Sequence, residues 1–368
     1  MYTFIHWPLA FFLRVNGGEK PPSPEERQAQ AALESLVQKQ QNAMIDHRLA
    51  ALRRLYTRES TAQEGLETAI SRSGYLYAWA RLHRLKWAGV TVRVRTPLVR
   101  ITGADNVDFY AIERKRYQFH YDSTPTSQVW FGIASRHYIS IGKRDGIWRI
   151  TGDAFANQVH AYDVAGQSVP DQTGGGRPPQ GPWGLDRMAA VAYANQFCGN
   201  APGCGNGQRY NPHYRDYNPQ GGDCTNFISQ VLFAGGISMN QYWKYDHDTR
   251  LGSGAWITAP GLIGFLRHSG NASLVAYGSY AGVTRRTAQF ADGAMETLRP
   301  GDIINYQTGG SPISHSAVVV GYDVKGVPLV DTHTADRYRV PWDFGWPSHT
   351  IFYLWHVKYP DERAPASS

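Results

Sequence analysis

The chain has 368 residues, of which 42% are hydrophobic and 18% charged, so it is long enough for two ordinary domains and too apolar for disorder to be its default. Its formal net charge of +7 favours anionic surfaces. No lysine-rich tract or nucleic-acid-binding signature accompanies that charge, so no nucleic-acid partner is expected.

The first segment, residues 1–23, holds an apolar stretch at 7–15 that is too short to span a bilayer, so no stable membrane insertion is expected. It also lacks the basic leader and the small-residue cleavage site of a signal peptide. From 24 to about 55 the chain is charged and rich in Ala, Gln, Glu and Leu, which predicts one long helix. A second helix is predicted over 66–87. Alternating runs at 90–101, 107–119, 127–141 and 146–150 then predict an antiparallel meander.

Helices followed by a meander predict an α+β domain over 24–160. This order resembles the cone-shaped nuclear-transport-factor-like domains, in which helices pack on a strongly curved antiparallel sheet around a pocket. No acid/base pair stands out among its residues, so packing or binding is the expected role. Residues 161–182 include a Gly/Pro-rich run at 172–179 and predict a flexible connector.

The remaining domain, 183–362, opens with a predicted helix at 185–194. Cys198 and Cys204 follow, close together and flanked by glycine and proline, and suit a small disulfide in an oxidising compartment. Two sulfurs without a histidine pair at ligand spacing make a poor zinc site, and neither metal nor cofactor is expected. The third cysteine lies in Gly221-Gly222-Asp223-Cys224-Thr225-Asn226-Phe227, with Asp223 as N-cap and Phe227, Ile228, Val231 and Leu232 at helical spacing. A thiol in the first turn of a helix is set against free N–H groups and the positive dipole end, which favours thiolate. Cys224 is thus the candidate nucleophile. The aromatic residues Trp243 and Trp256 are candidates for a substrate groove together with Asp223, against the alternative that they are core.

Downstream, 301–306, 314–322 and 327–334 read as three strands. A turn centred near Lys325 pairs His333 with Ala317, on the face that also carries His315. Asp331 lies on the same face and is the alternative to His333 as the group that orients the imidazole. A slip of one residue puts both on the opposite face.

The helix at 185–194, the segment 211–214, the Gly-Gly-Asp-Cys-Thr-Asn-Phe-Ile-Ser-Gln run and His315-Ser316 together resemble the bacterial "Putative amidase domain" family over 183–359. That family is similar to the NlpC-type and CHAP cysteine hydrolases. The resemblance implies a papain-like α+β hydrolase domain with Cys224 as nucleophile, His315 as base and His333 as orienting group. It further implies a cysteine amidase or peptidase acting on a peptide or peptidoglycan-like substrate in a secreted or cell-envelope setting. An acyl transferase using the same thiol and a non-catalytic wall- or peptide-binding module are the alternatives. Asn226 stands where the NlpC-type enzymes carry glycine, so their substrate preference does not transfer.

Overall fold

The computed structural model describes residues 21–103, 105–155, 179, 181–308 and 312–362. The apolar stretch at 7–15 and most of the expected connector lie outside the described residues.

The N-terminal half begins with α1 (Pro24–Ile45), started by a capping box in which Ser23 accepts from the Glu26 N–H and the Glu26 carboxylate accepts from the Ser23 N–H. The expected single helix ends early. His47 takes φ 52°, which no continuing helix tolerates, and the chain restarts as the short α2 (Leu49–Arg53). After α3 (Ser60–Leu82) come β1 (Leu85–Gly103), β2 (Asn106–Tyr121), β3 (Val129–Arg144) and β4 (Ile147–Phe155), an antiparallel meander as predicted.

Alternation decides what this sheet buries. In β2 the residues Val107, Phe109, Ala111, Tyr117 and Phe119 join Leu33, Val37 and Trp79 of the helices in one apolar core. Glu113 and Lys115 lie in the same inward row and are fully buried. Ser135 and His137 of β3 meet them there: Lys115 Nζ reaches Glu113 Oε2 at 2.7 Å and Ser135 Oγ at 2.8 Å, and His137 Nδ1 bonds Asp153 Oδ1 at 3.0 Å. The sequence pattern concealed this buried acid/base cluster, because its members sit on three strands and only pairing assembles them.

The C-terminal half contains α4 (Leu185–Phe197), α5 (Cys224–Ala234), the short β5 (Tyr245–Asp246) and β6 (Leu251–Gly252), α6 (Gly254–Ile257), α7 (Ala259–His268), β7 (Ala272–Gly278) and α8 (Tyr280–Thr284). Then follow β8 (Ile303–Gln307), β9 (His315–Tyr322), β10 (Pro328–Thr332), β11 (Asp336–Pro341) and β12 (Ile351–Val357). Both faces of this sheet are covered. Ile303, Val318, Val320 and Leu329 pack under α4, α5 and α7, while Ile304, Tyr306, Ala317, Val319 and Val330 pack under α8, Trp342 and Trp346.

One sheet runs through both halves, in the order β1-β2-β3-β11-β10-β9-β8-β12-β7. The length of β3 makes this feasible: His137–Arg144 pairs with β4, leaving Gly132–Ala134 free to pair with Asp336–Tyr338 of β11. Phe344 of the C-terminal half seals the joint by entering the N-terminal core, with its ring 4.9 Å from that of Trp79 and 5.0 Å from that of Phe131.

Candidate active site

Cys224 is the first residue of α5, as the sequence predicts, and is buried. Asp223 does not cap the helix with its side chain. Its Oδ1 accepts from the Tyr217 N–H and from Asn226 Nδ2, each at 2.9 Å, and its Oδ2 pairs with His333 Nδ1 at 2.5 Å. The N–H groups of the first helical turn are thereby left without a side-chain cap.

The sulfur lies against the mouth of β9. Cys224 Sγ is 4.0 Å from the Ser314 carbonyl oxygen and 3.8 Å from Thr225 Oγ1. Ser314 precedes His315 in the chain, so helix end and strand start bring the thiol and the imidazole-bearing residue together. Among the described residues no hydrogen bond joins the two side chains. Burial pushes the Cys224 thiol above its ordinary value, and the nearby Asp223 charge adds to this, against hydrogen bonds from Thr225 and the Ser316 N–H that favour thiolate. The expected thiolate is therefore a neutral thiol: desolvation outweighs the helix end.

His315 is buried among Tyr306 and Trp346, the latter ring 5.0 Å away. Burial, helped by the positive charge of Arg337, pulls its pKa down to about 3, so the imidazole is neutral. Its Nε2 lies 3.1 Å from Thr332 Oγ1. The Thr332 hydroxyl also lies 2.7 Å from the Ser316 carbonyl oxygen, to which it can only donate. The hydroxyl lies 3.0 Å from the His333 carbonyl oxygen as well, and a proton donated to either carbonyl leaves Thr332 to accept from Nε2–H. The lone pair of His315 is then on Nδ1, which has no hydrogen-bond partner among the described residues.

His333 does not meet His315. The expected register holds at Pro328, opposite Tyr322, and at Leu329, opposite Gly321. A bulge between Leu329 and Val330 then shifts the pairing by one, so that Asp331 faces Val318 and the side chains beyond are turned over. His333 is carried to the α5 side, where its ring stacks 4.1 Å from that of Phe227. It lies between the Asp223 carboxylate and the Phe197 carbonyl oxygen, 2.7 Å from Nε2. Both partners accept, so both ring nitrogens donate. Burial alone lowers the pKa of His333, but the Asp223 hydrogen bond and charge reverse this and hold it above the ordinary value. Asp331 has no hydrogen bond to the imidazole among the described residues; its Oδ1 accepts from the Arg339 N–H at 2.7 Å.

Two groove candidates are core instead. Trp243 and Trp256 are fully buried, with indole N–H groups donating to Ser229 Oγ at 3.0 Å and to Asn226 Oδ1 at 2.9 Å. Each satisfies a polar side chain of α5, and neither is exposed to line a groove. Cys198 and Cys204 form a disulfide with Cα atoms 5.6 Å apart. The residue that sequence reasoning missed is Thr332: it lies between two more conspicuous candidates, and only the bulge turns it toward His315.

Residues 184–355 match the family model described as "Putative amidase domain". The matched span includes Cys224, His315 and Thr332. Over 160 residues the chain is 31% identical to "Uncharacterized protein YhbB" of Bacillus subtilis (strain 168), covering 43% of this chain and 44% of that one. The chain thus spans less than half the length of this curated relative. Among solved structures, the intermembrane space region of the chloroplast protein ARC6 covers 36% of this chain and 98% of its own, at a TM-score of 0.27 and 15% identity. The hexachlorocyclohexane dehydrochlorinase LinA-type3 from Novosphingobium barchaimii LL02 covers 36% of this chain and 91% of its own, at a TM-score of 0.24 and 16% identity.

Proposed function

We propose that the protein is a cysteine-dependent amide hydrolase of papain-like layout in which Cys224 is the nucleophile, His315 the base and Thr332 the group that fixes the base. What supports this reading is that Cys224 Sγ lies against Ser314, next to His315 in the chain, while Thr332 Oγ1 stands 3.1 Å from His315 Nε2, where accepting from Nε2–H would leave the lone pair on Nδ1.

At rest the proton stays on sulfur. When a substrate carbonyl enters, His315 Nδ1 takes the thiol proton as sulfur bonds to the carbonyl carbon. The oxygen gains the negative charge and is met by the uncapped N–H groups at the start of α5. Collapse of the intermediate breaks the C–N bond, and the imidazolium returns its proton to the departing amine. Water, deprotonated by the same imidazole, then cleaves the thioester to a carboxylic acid and regenerates the thiol.

A peptide of the cell wall is the substrate we favour, and a secreted or cell-envelope setting accords with the Cys198–Cys204 disulfide. No helix among the described residues is long and apolar enough to cross a membrane. Incubating the wild type and Cys224→Ala with purified peptidoglycan, and identifying released fragments by mass spectrometry, tests the reading. New carboxyl and amino termini are expected from the wild type alone. Cleavage by folded Cys224→Ala rules out the thiol mechanism, and an inert wild type rules out the wall substrate.

A further inference from the structure

A cavity of about 40 Å³ lies where the two halves of the sheet meet, room for a few water-sized atoms. Met44, Leu76 and Phe155 supply apolar wall from the N-terminal half, and Phe344 closes it from the C-terminal half. Its polar lining is of one sign: Arg72, Lys115, Arg136 and Arg337 border it, and none of its described lining residues is acidic.

Two of these cations have a carboxylate partner outside the lining. Lys115 pairs with Glu113, and Arg136 lies 3.8 Å from Asp336. Burial would raise the pKa of Glu113, but the adjacent His137 and Lys115 charges bring it down to about 2, so that pair stays ionised. Lys115 still has a third N–H to offer after Glu113 and Ser135. Arg337 differs from the others. It is 97% buried by its exposure of 3%, donates from Nη1 to the Phe344 carbonyl oxygen, and has an Nε with no hydrogen-bond partner among the described residues. A buried guanidinium N–H with no acceptor is costly, and a bound acceptor removes that cost.

We propose that this cavity is a binding site for a small monocarboxylic acid, with the carboxylate on Arg337 Nε and Lys115 Nζ and the apolar tail against Met44, Leu76 and Phe155. Apolar walls with one cationic end select such an acid over an inorganic anion, whose remaining oxygens would face hydrocarbon. The site adjoins the thiol site without belonging to it. Arg337 stands opposite Thr332 in the β10–β11 register, and its guanidinium covers the Trp346 ring that packs on His315. The binding claim holds whether or not Cys224 is catalytic.

Calorimetric titration of the full chain with sodium acetate, butyrate and benzoate, at fixed ionic strength and neutral pH, tests it, with butyramide and benzamide as uncharged controls. At least one acid should bind at a single saturable site, with its amide weaker by about tenfold or more, as expected for loss of a charge-assisted contact. Arg337→Gln should weaken the acid by a similar factor. Leu76→Phe keeps every charge but fills the volume, so it should abolish binding even where the arginine variant does not fold. Saturation should also shift the imidazole NMR signals of His315, assigned from His315→Gln. The proposal fails if none of the three acids saturates, if the amides bind equally well, if either folded variant binds like wild type, or if the His315 signals stay put.

Discussion

A threonine hydroxyl has one proton to give, and Thr332 spends it on a backbone carbonyl; this small fact sets the chemistry of His315. Thr332→Val removes the acceptor for Nε2–H at nearly constant volume. We expect kcat to fall by about a hundredfold with little change in thermal midpoint, because imidazole orientation is lost while packing is kept. In the wild type, burial holds His315 near 3, so it remains a neutral base far into acid. The kcat/KM profile should therefore lack the acid limb near 6.5 that an ordinary histidine base produces. A limb there would show that the active imidazole is hydrated, unlike the one described. Asp331 gives a second test of burial. Its pKa is raised to about 7 by desolvation, and its Oδ2 has no hydrogen-bond partner among the described residues. The folded state thus holds this proton more tightly than the unfolded chain does. The resulting stabilisation is complete below the ordinary carboxylate range and is lost as pH climbs towards 7. The unfolding free energy of the wild type should fall from pH 5 to pH 7 relative to Asp331→Asn, by on the order of 1 kcal/mol for each pH unit crossed, and level off above. Parallel profiles would show that Asp331 is ionised throughout.

At the scale of elements, much of the site was legible. Local rules depend on a few consecutive residues, and they placed α5 with Cys224 in its first turn and β8 to β10 within about two residues of their bounds. They also gave the correct register at the turn end of β10. What they could not give was the bulge after Leu329, since one extra residue in a ladder leaves no mark on the alternation of either strand. That single step set Thr332 rather than His333 beside His315 and made His333 a buried clamp between Asp223 and Phe197. The clamp depends in turn on the C-terminal end of α4, which the Cys198–Cys204 disulfide secures. Chain entropy for so short a loop gives about 2 kcal/mol. Replacing both cysteines by serine should lower stability by about that amount in urea unfolding. It should also lower activity more than stability alone explains, by loosening Phe197 and with it the α5 start. Activity equal to wild type in the folded variant would show that this end of α4 does not govern the site.

For the whole molecule, the sequence divides at its Gly/Pro-rich connector, whereas the sheet passes straight from one half to the other through β3 and β11. No local pattern announces that junction, because the pairing joins residues about 200 positions apart and both strands alternate as any edge strand does. The closeness of approach appears at Gly132, where an added Cβ would come within 2.0 Å of the Pro202 carbonyl oxygen. Backbone on both sides leaves no flexible atom to give way. Gly132→Ala must therefore push the 199–204 loop away from β3 or break the Gly132–Tyr338 pairing. Overpacking of this kind costs about 1–3 kcal/mol. Because Phe344 fills the N-terminal core, separation at the junction also uncovers apolar surface on both halves. We expect the wild type to unfold in one calorimetric transition and Gly132→Ala to resolve into two, the one from the C-terminal half accompanied by loss of the proposed amidase turnover. Two transitions already present in the wild type would mean that the halves fold independently and that the shared sheet contributes little to holding them together.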